Sequence, residues 1–204
     1  DELIIGLGCE DKYHNVPGAE AYTHSIQTLS KSRDTYHRIS ELPKGARVGI
    51  VGAGLSGIEL ASELRESRSD LEILLYDRGP RILRNFPEKL SKYISNWFSK
   101  HNVTVVPNSV IDRVEPGKIY NNGKPENIDL VVWTAGIQPV EIVRNLPIDM
   151  STTGRVIINQ YHQVPTYRNV YVVGDCANLP YAPSAQLAEL QGEQIAEVLK
   201  KQWR

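Results

Sequence analysis

Three glycines carry the first chemical signal. Gly52, Gly54 and Gly57 stand as Gly-x-Gly-x-x-Gly inside the run GIVGAGLSGIELASEL, residues 49–64. In this spacing the first glycine turns the chain sharply out of a strand. The second lets the backbone approach a pyrophosphate, and the third lets a helix pack close to the sheet. Ala53, Leu55 and Ser56 fill the positions between and offer backbone N–H groups at a helix start, where the helix dipole also favours phosphate. Asp77 ends the next apolar run, close to the separation of about 20 residues expected of a ribose-binding acid. Its carboxylate would accept from a ribose diol and repel a 2′-phosphate, which favours NADH over NADPH. Arg78 works the other way, because an arginine there can pair with that phosphate. The plain alternatives are a ligand-free glycine turn and an aspartate that caps a strand end. The strand before, the helix after and the acid beyond together favour a dinucleotide site.

The other reactive side chains form no constellation. Cys9 and Cys176 lie far apart, with no Cys-x-x-Cys pair, and His14, His24, His37, His101 and His162 are scattered. No metal site and no protein nucleophile are expected, and both cysteines read as buried structural thiols. Trp133 reads as core rather than as a stacking surface. Charge is balanced, with 23 Lys plus Arg against 24 Asp plus Glu and a net of −1, so no single-sign field points to nucleic acid. No apolar run reaches the ~18 residues of a membrane span, and no signal peptide is visible. The expectation is a reduced, cytoplasmic protein. An apolar fraction of 41% is enough to build a core.

The elements that must position these residues follow from the pattern. Residues 3–7 read as a short strand, residues 10–24 as a polar stretch with a Pro17-Gly18 turn, and residues 25–40 as a helix with Ile26, Leu29 and Arg33 on one face. The break LPKGA at 42–46 reads as a domain boundary. ARVGIV is a strand covered on both faces, followed by a helix from Leu55 to Arg68 and a strand at 70–77. That is a βαβ unit of about 30 residues. A helix follows, with Pro87 in its first turn and Leu90, Ile94, Trp97 and Phe98 on its apolar face, and then a strand at 103–106. Short strands over 109–120 and 128–133 flank Asn122-Gly123, a strong hairpin signal. Further strands are expected at 154–159 and 168–177. The last helix, 184–203, carries Leu187, Leu190, Ile195, Val198 and Leu199 on or near one face.

LIIGLG, the glycine turn, VVWTAG and VYVVGDCA together resemble the two-dinucleotide flavoprotein reductases of the pyridine nucleotide-disulfide oxidoreductase superfamily. Within it the sequence is similar to type II NADH dehydrogenases, the single-subunit NADH:quinone reductases. The resemblance implies an α/β fold. A Rossmann-like NAD-binding domain, with a parallel sheet in ββα layers and a β-meander, is inserted in a partial FAD-binding domain. Residues 1–41 would end the first FAD half, 42–145 would form the NAD(H) domain, and 146–204 would return to the FAD domain. The glycine turn would then hold NADH together with Ala135 and Gly136, and Glu59 of Gly57-Ile58-Glu59 would sit near the nicotinamide. Gly8, Gly174, Asp175, Ala185 and Gln186 would contact FAD, with Asp175 on the ribityl chain. Two departures stand out: Ser184 replaces the usual threonine, and Leu190 replaces a polar residue beside the quinone site.

The function so implied is hydride transfer from NADH to FAD, with electrons passed on to a second acceptor, quinone first. The implied partners are NADH, a quinone or another acceptor, and, through regions outside this sequence, a peripheral contact at the inner face of the membrane and a second subunit. The sequence opens on Asp1 without an initiator methionine and reads as part of a longer enzyme. Alone it is expected to be inactive and to hold FAD poorly. The competing readings are a non-catalytic NADH-binding, redox-sensing module, or a disulfide, coenzyme A or ferredoxin-type reductase with a cysteine pair upstream.

Overall fold

The computed structural model describes residues 1–203. The elements run β1 (Leu3–Ile5), β2 (Cys9–Asp11), α1 (Ala19–Tyr22), α2 (Leu29–Ser40), β3 (Arg47–Val51), α3 (Leu55–Ser67), β4 (Glu72–Tyr76), α4 (Glu88–Lys100) and β5 (Val103–Val106). They continue with β6 (Ile111–Glu115), β7 (Lys118–Asn121), β8 (Lys124–Asn127), β9 (Leu130–Trp133), β10 (Ile137–Pro139), α5 (Glu141–Arg144), β11 (Gln163–Val164), β12 (Tyr167–Val172) and α6 (Ala185–Gln202). Two compact units result: Asp11–Gly136, and Asp1–Glu10 together with the chain from Ile137 onward.

The Asp11–Gly136 unit is built on a parallel sheet in the order β5-β4-β3-β9. Its strands are buried on both faces, which is why they read as unbroken apolar runs. Val48, Ile50, Ile73 and Leu75 point to the side packed with Ile58, Ala61 and Leu64 of α3 and Phe98 of α4. Val51, Leu74 and Tyr76 point to the other side, against Val114, Ile119 and Ile128. That second layer is the antiparallel meander β6-β7-β8. Its β7–β8 turn places Asn122 at φ 51° and Gly123 at φ 74°, the paired positive values a type I′ hairpin needs.

Residues 11–41, expected to end a flavin half, pack with this unit instead. His24 runs alongside β9, donating to Val131 O at 2.8 Å and accepting from Trp133 N at 2.8 Å. That extended segment delays α2 until Thr28, whose Oγ1 accepts from Lys31 N. The buried face of α2 is Thr35 and Ile39, and Leu29 is exposed. Arg68 then clasps the end of α2 by donating to Ile39 O at 2.6 Å and Leu42 O at 2.9 Å, while holding Asp70 through two 2.8 Å contacts. The LPKGA stretch is therefore a loop inside a unit: Ala46 is buried, and Gly45 N donates to Asp70 O.

In the other unit β1 and β12 pair in parallel and β11 adds antiparallel to β12, while β2 and β10 form a separate two-stranded ladder. Tyr171 of β12 packs with Ile195 and Leu199 of α6, and its neighbour Val172 packs with Ile5, Val143 and Val156. The strand expected at 154–159 is not formed. Only Val156 bridges, to Met150 and Ala177, because no extended neighbour runs beside the rest. In α6 the buried positions are Gln191, Ile195 and Leu199, and Leu190 faces solvent. No helix among the described residues is long and apolar enough to cross a membrane.

Candidate functional site

The glycine turn links β3 to α3, and its three glycines have different environments. Gly52 sits at φ +109°, and a Cβ there would lie 2.8 Å from Ala135 Cα and from Thr134 O. A Cβ on Gly57 would lie 1.9 Å from Gly52 O. These two glycines are required by packing of the turn against the β9 end and the helix against the turn. Gly54 is different. Its backbone is extended, at φ −76° and ψ −172°, and a Cβ there meets nothing within 4 Å. Gly54 also opens α3 without a side-chain cap, and no acidic residue lies in the first turn. The first-turn amides and the helix dipole thus have no anionic competitor from the helix itself.

Asp77 reaches back to this turn. Its Oδ2 accepts from Ala53 N at 2.9 Å, and its Oδ1 accepts from Gly79 N at 2.7 Å. Its backbone continues the sheet edge, with Ser109 N donating to Asp77 O at 2.8 Å. The loop after it is tied down by Leu83 N, which donates to Ala53 O, and by Arg81, whose guanidinium donates to Leu83 O, Arg84 O and Phe86 O. Each carboxylate oxygen keeps a lone pair toward the open side.

Between these walls lies a cavity of about 450 Å³, within the size range of ligand pockets. Of the residues expected to bind a dinucleotide, Gly52, Ala53, Gly54, Asp77, Arg78 and Ala135 line it. Leu55 and Ser56 are exposed in the first helical turn beside it, and Gly57 is buried beneath. Gly136 stands one residue beyond the wall at φ +144°, where a Cβ would come within 2.9 Å of His14 Nε2. Glu59 is exposed on α3 and is not part of the wall. Trp133 is core, 3% exposed with its Nε1 donating to Lys12 O, yet one side of it borders the cavity.

Sequence reasoning missed His14, Arg84, Asn85 and Ser109, which also line the cavity. His14 arrives from the leading segment, at φ 52° and with Nε2 2.9 Å from Ala135 O. Nothing in local spacing marks it. Arg84 and Asn85 stand just before the Pro87 helix start, a position that a longer reading of the loop after Asp77 would have caught.

The residues expected at a flavin lie in the other unit. Gly174 N donates to the Oε1 of buried Gln191 at 2.6 Å, fixing the turn at the end of β12. Asp175 O accepts from Arg155 Nε at 2.9 Å and from Cys9 Sγ at 3.3 Å. The Asp175 carboxylate itself makes no hydrogen bond or ion pair among the described residues. Gly8 has φ +68° and open space where a Cβ would be. Ala185 and Gln186 are exposed in the first turn of α6, and Ser184 Oγ caps that helix by accepting from Leu187 N. Both cysteines are buried and neither is in a disulfide. Burial pushes the Cys9 thiol up to about 11 and raises Cys176 as well.

A sheet wound in this way around a glycine turn, with an acid at the end of the following strand, defines a dinucleotide-binding α/β protein. Residues 1–192 match the family described as pyridine nucleotide-disulphide oxidoreductase, and the chain belongs to that family. It is 56% identical over 203 residues to the NADH dehydrogenase-like protein YutJ of Bacillus subtilis, covering 100% of this chain and 57% of that protein. It is 28% identical to the internal alternative NAD(P)H-ubiquinone oxidoreductase A1, mitochondrial, of Solanum tuberosum, covering 98% of this chain and 47% of the relative. The water-forming NADH oxidase from Lactobacillus brevis, solved bound to NADH, shares the fold with a TM-score of 0.85 at 18% identity, covering 97% of this chain and 46% of that one. The chain thus spans about half the length of these relatives.

Proposed function

We propose that this chain supplies the NADH-binding unit and part of the flavin-binding unit of an NADH-dependent flavoprotein oxidoreductase. The observation that carries the reading is Gly54. Its backbone conformation suits any residue and its surroundings leave room for a side chain, so the fold does not require glycine there. A pyrophosphate laid against the turn does. Ala53, Gly54, Leu55 and Ser56 present the backbone to it, and Asp77, already braced by Ala53 N, offers its remaining lone pairs to the ribose diol.

The Asp175 carboxylate fits a flavin in the same sense: it is an acceptor without a partner, on a turn immobilised by Gln191, Arg155 and Cys9. The first turn of α6, with Ala185 and Gln186, is the other element available to that cofactor. When bound, the nicotinamide supplies a hydride and the flavin accepts it. The chain's own residues bind, orient and shield, and none is asked to act as nucleophile. Quinone is the favoured final acceptor, on the resemblance of the Ala185-Gln186 segment and on relatives named as ubiquinone oxidoreductases. Glu59, exposed and away from the cavity, is given no role.

The test is the absorption spectrum of the native polypeptide, followed by anaerobic addition of NADH. A flavin band that bleaches on addition, and returns on addition of a soluble quinone, is the expected result. A colourless protein that still binds NADH would reduce the assignment to a nucleotide-binding module.

A further inference from the structure

Three arginines follow Asp77 in one loop, and they are not equivalent. Arg81 is structural: its guanidinium is spent on the carbonyls of Leu83, Arg84 and Phe86. Arg78 and Arg84 are exposed, line the cavity, and have no hydrogen-bond or ion-pair partner among the described residues. Arg84 is also aimed. Its stem crosses Gly79 so closely that a Cβ on Gly79 would meet Arg84 Cδ and Asp77 Oδ1, each at 3.0 Å. The Asp77 carboxylate meanwhile receives one backbone N–H on each oxygen, which offsets part of its charge. A site that reads only a ribose diol has no use for two unpaired guanidinium groups beside that acid. A 2′-phosphate does, because planar guanidinium forks bind phosphate oxygens in pairs.

Resting on the dinucleotide reading above, we propose that the Arg78–Arg84 pair makes this site accept NADPH as well as NADH. The two arginines flank the 2′-phosphate, and Asp77 serves the diol of NADH. The cofactor range is then set by a contest between one braced carboxylate and two unpaired cations.

The experiment is calorimetric titration of the native polypeptide with NADH and, separately, with NADPH, for the wild type and for Arg78→Ala, Arg84→Ala and the double variant. The expected wild-type result is NADPH binding within about tenfold of NADH. Each arginine removed should raise the ratio of the NADPH to the NADH dissociation constant by about tenfold to 100-fold, as for a lost charge-assisted contact. Added salt should raise the same ratio, since the extra contacts are ionic. Wild-type protein that binds NADH but holds NADPH more than about 100-fold more weakly overturns the proposal. So does an equal loss of both nucleotides in the double variant. Failure of the wild type to bind either one overturns the dinucleotide reading itself, a result distinct from the other two.

Discussion

Replacing Gly54 by alanine separates binding from folding more cleanly than any other change in the turn. The new methyl group enters open space, since a Cβ at this position meets nothing within 4 Å, and the φ of −76° is unstrained for alanine. Losing glycine removes freedom from the unfolded chain, worth about 0.4–1 kcal/mol in favour of the fold. Alanine is the poorer N-cap, which takes back a similar amount. Stability should therefore stay within about 0.5 kcal/mol of wild type, measured by chemical denaturation. Binding should not survive as well. The methyl group holds the pyrophosphate off the turn and breaks at least one charge-assisted N–H contact worth about 1.5–3 kcal/mol, a loss of about tenfold to 150-fold in NADH affinity. Titration calorimetry on the same samples reads that loss. A variant that binds NADH as the wild type does would refute the phosphate-cradle argument. A variant that unfolds would show that Gly54 has a structural job the geometry does not reveal.

Other changes should behave differently. Gly57→Ala forces a Cβ onto Gly52 O, at 1.9 Å, and should cost about 3 kcal/mol in denaturation experiments, with NADH affinity lost along with the fold. Asp77→Ala leaves the Ala53 and Gly79 amides without their acceptor, so it should cost about 1–3 kcal/mol of stability as well as NADH affinity. Asp175→Ala removes a carboxylate that makes no contact within the described chain; flavin content, read from absorbance, should fall while the denaturation midpoint changes by less than about 0.5 kcal/mol. Burial raises the Cys9 thiol from 9.0 to about 11, so the folded chain holds that proton more tightly than the unfolded one. Its contribution to stability is full below the unfolded value and is lost as pH rises through the window from 9.0 toward about 11. Cys9→Ala should flatten that part of the pH–stability curve, and an unchanged slope would count against the burial argument.

What could be read in the sequence was what local chemistry decides. The turn at Gly52–Gly57, the parallel strands around it and the Asn122-Gly123 hairpin all follow from φ preferences and from burial on two faces. What could not be read depended on partners far along the chain. LPKGA looks like a boundary because Pro43 and Gly45 break the helix, but Arg68 and Asp70 bind that loop into a unit. Residues 154–159 have a strand's composition and lack a strand's neighbours. Leu190 and Leu29 fit an apolar stripe by spacing, yet Gln191 and Thr35 occupy the buried places because each answers a backbone group: Gln191 accepts from Gly174 N, and Thr35 Oγ1 donates to Ser25 O. His14 reaches the cavity only because the leading segment folds back along β9.

That fold-back has a consequence for how the chain assembles. The Asp11–Gly136 unit begins and ends at one place: Lys12 N donates to Gly136 O at 2.9 Å, and Trp133 Nε1 donates to Lys12 O at 3.0 Å. Once it has folded, this long excursion acts as a short staple between Glu10 and Ile137. The parallel pairing of Leu3 with Val170, among the most distant in the chain, then closes a loop about an order of magnitude shorter in effective length, an entropic saving of about 2 kcal/mol. The order of events is thereby dictated: the nucleotide unit folds first, and β1 and β12 meet across its stapled ends.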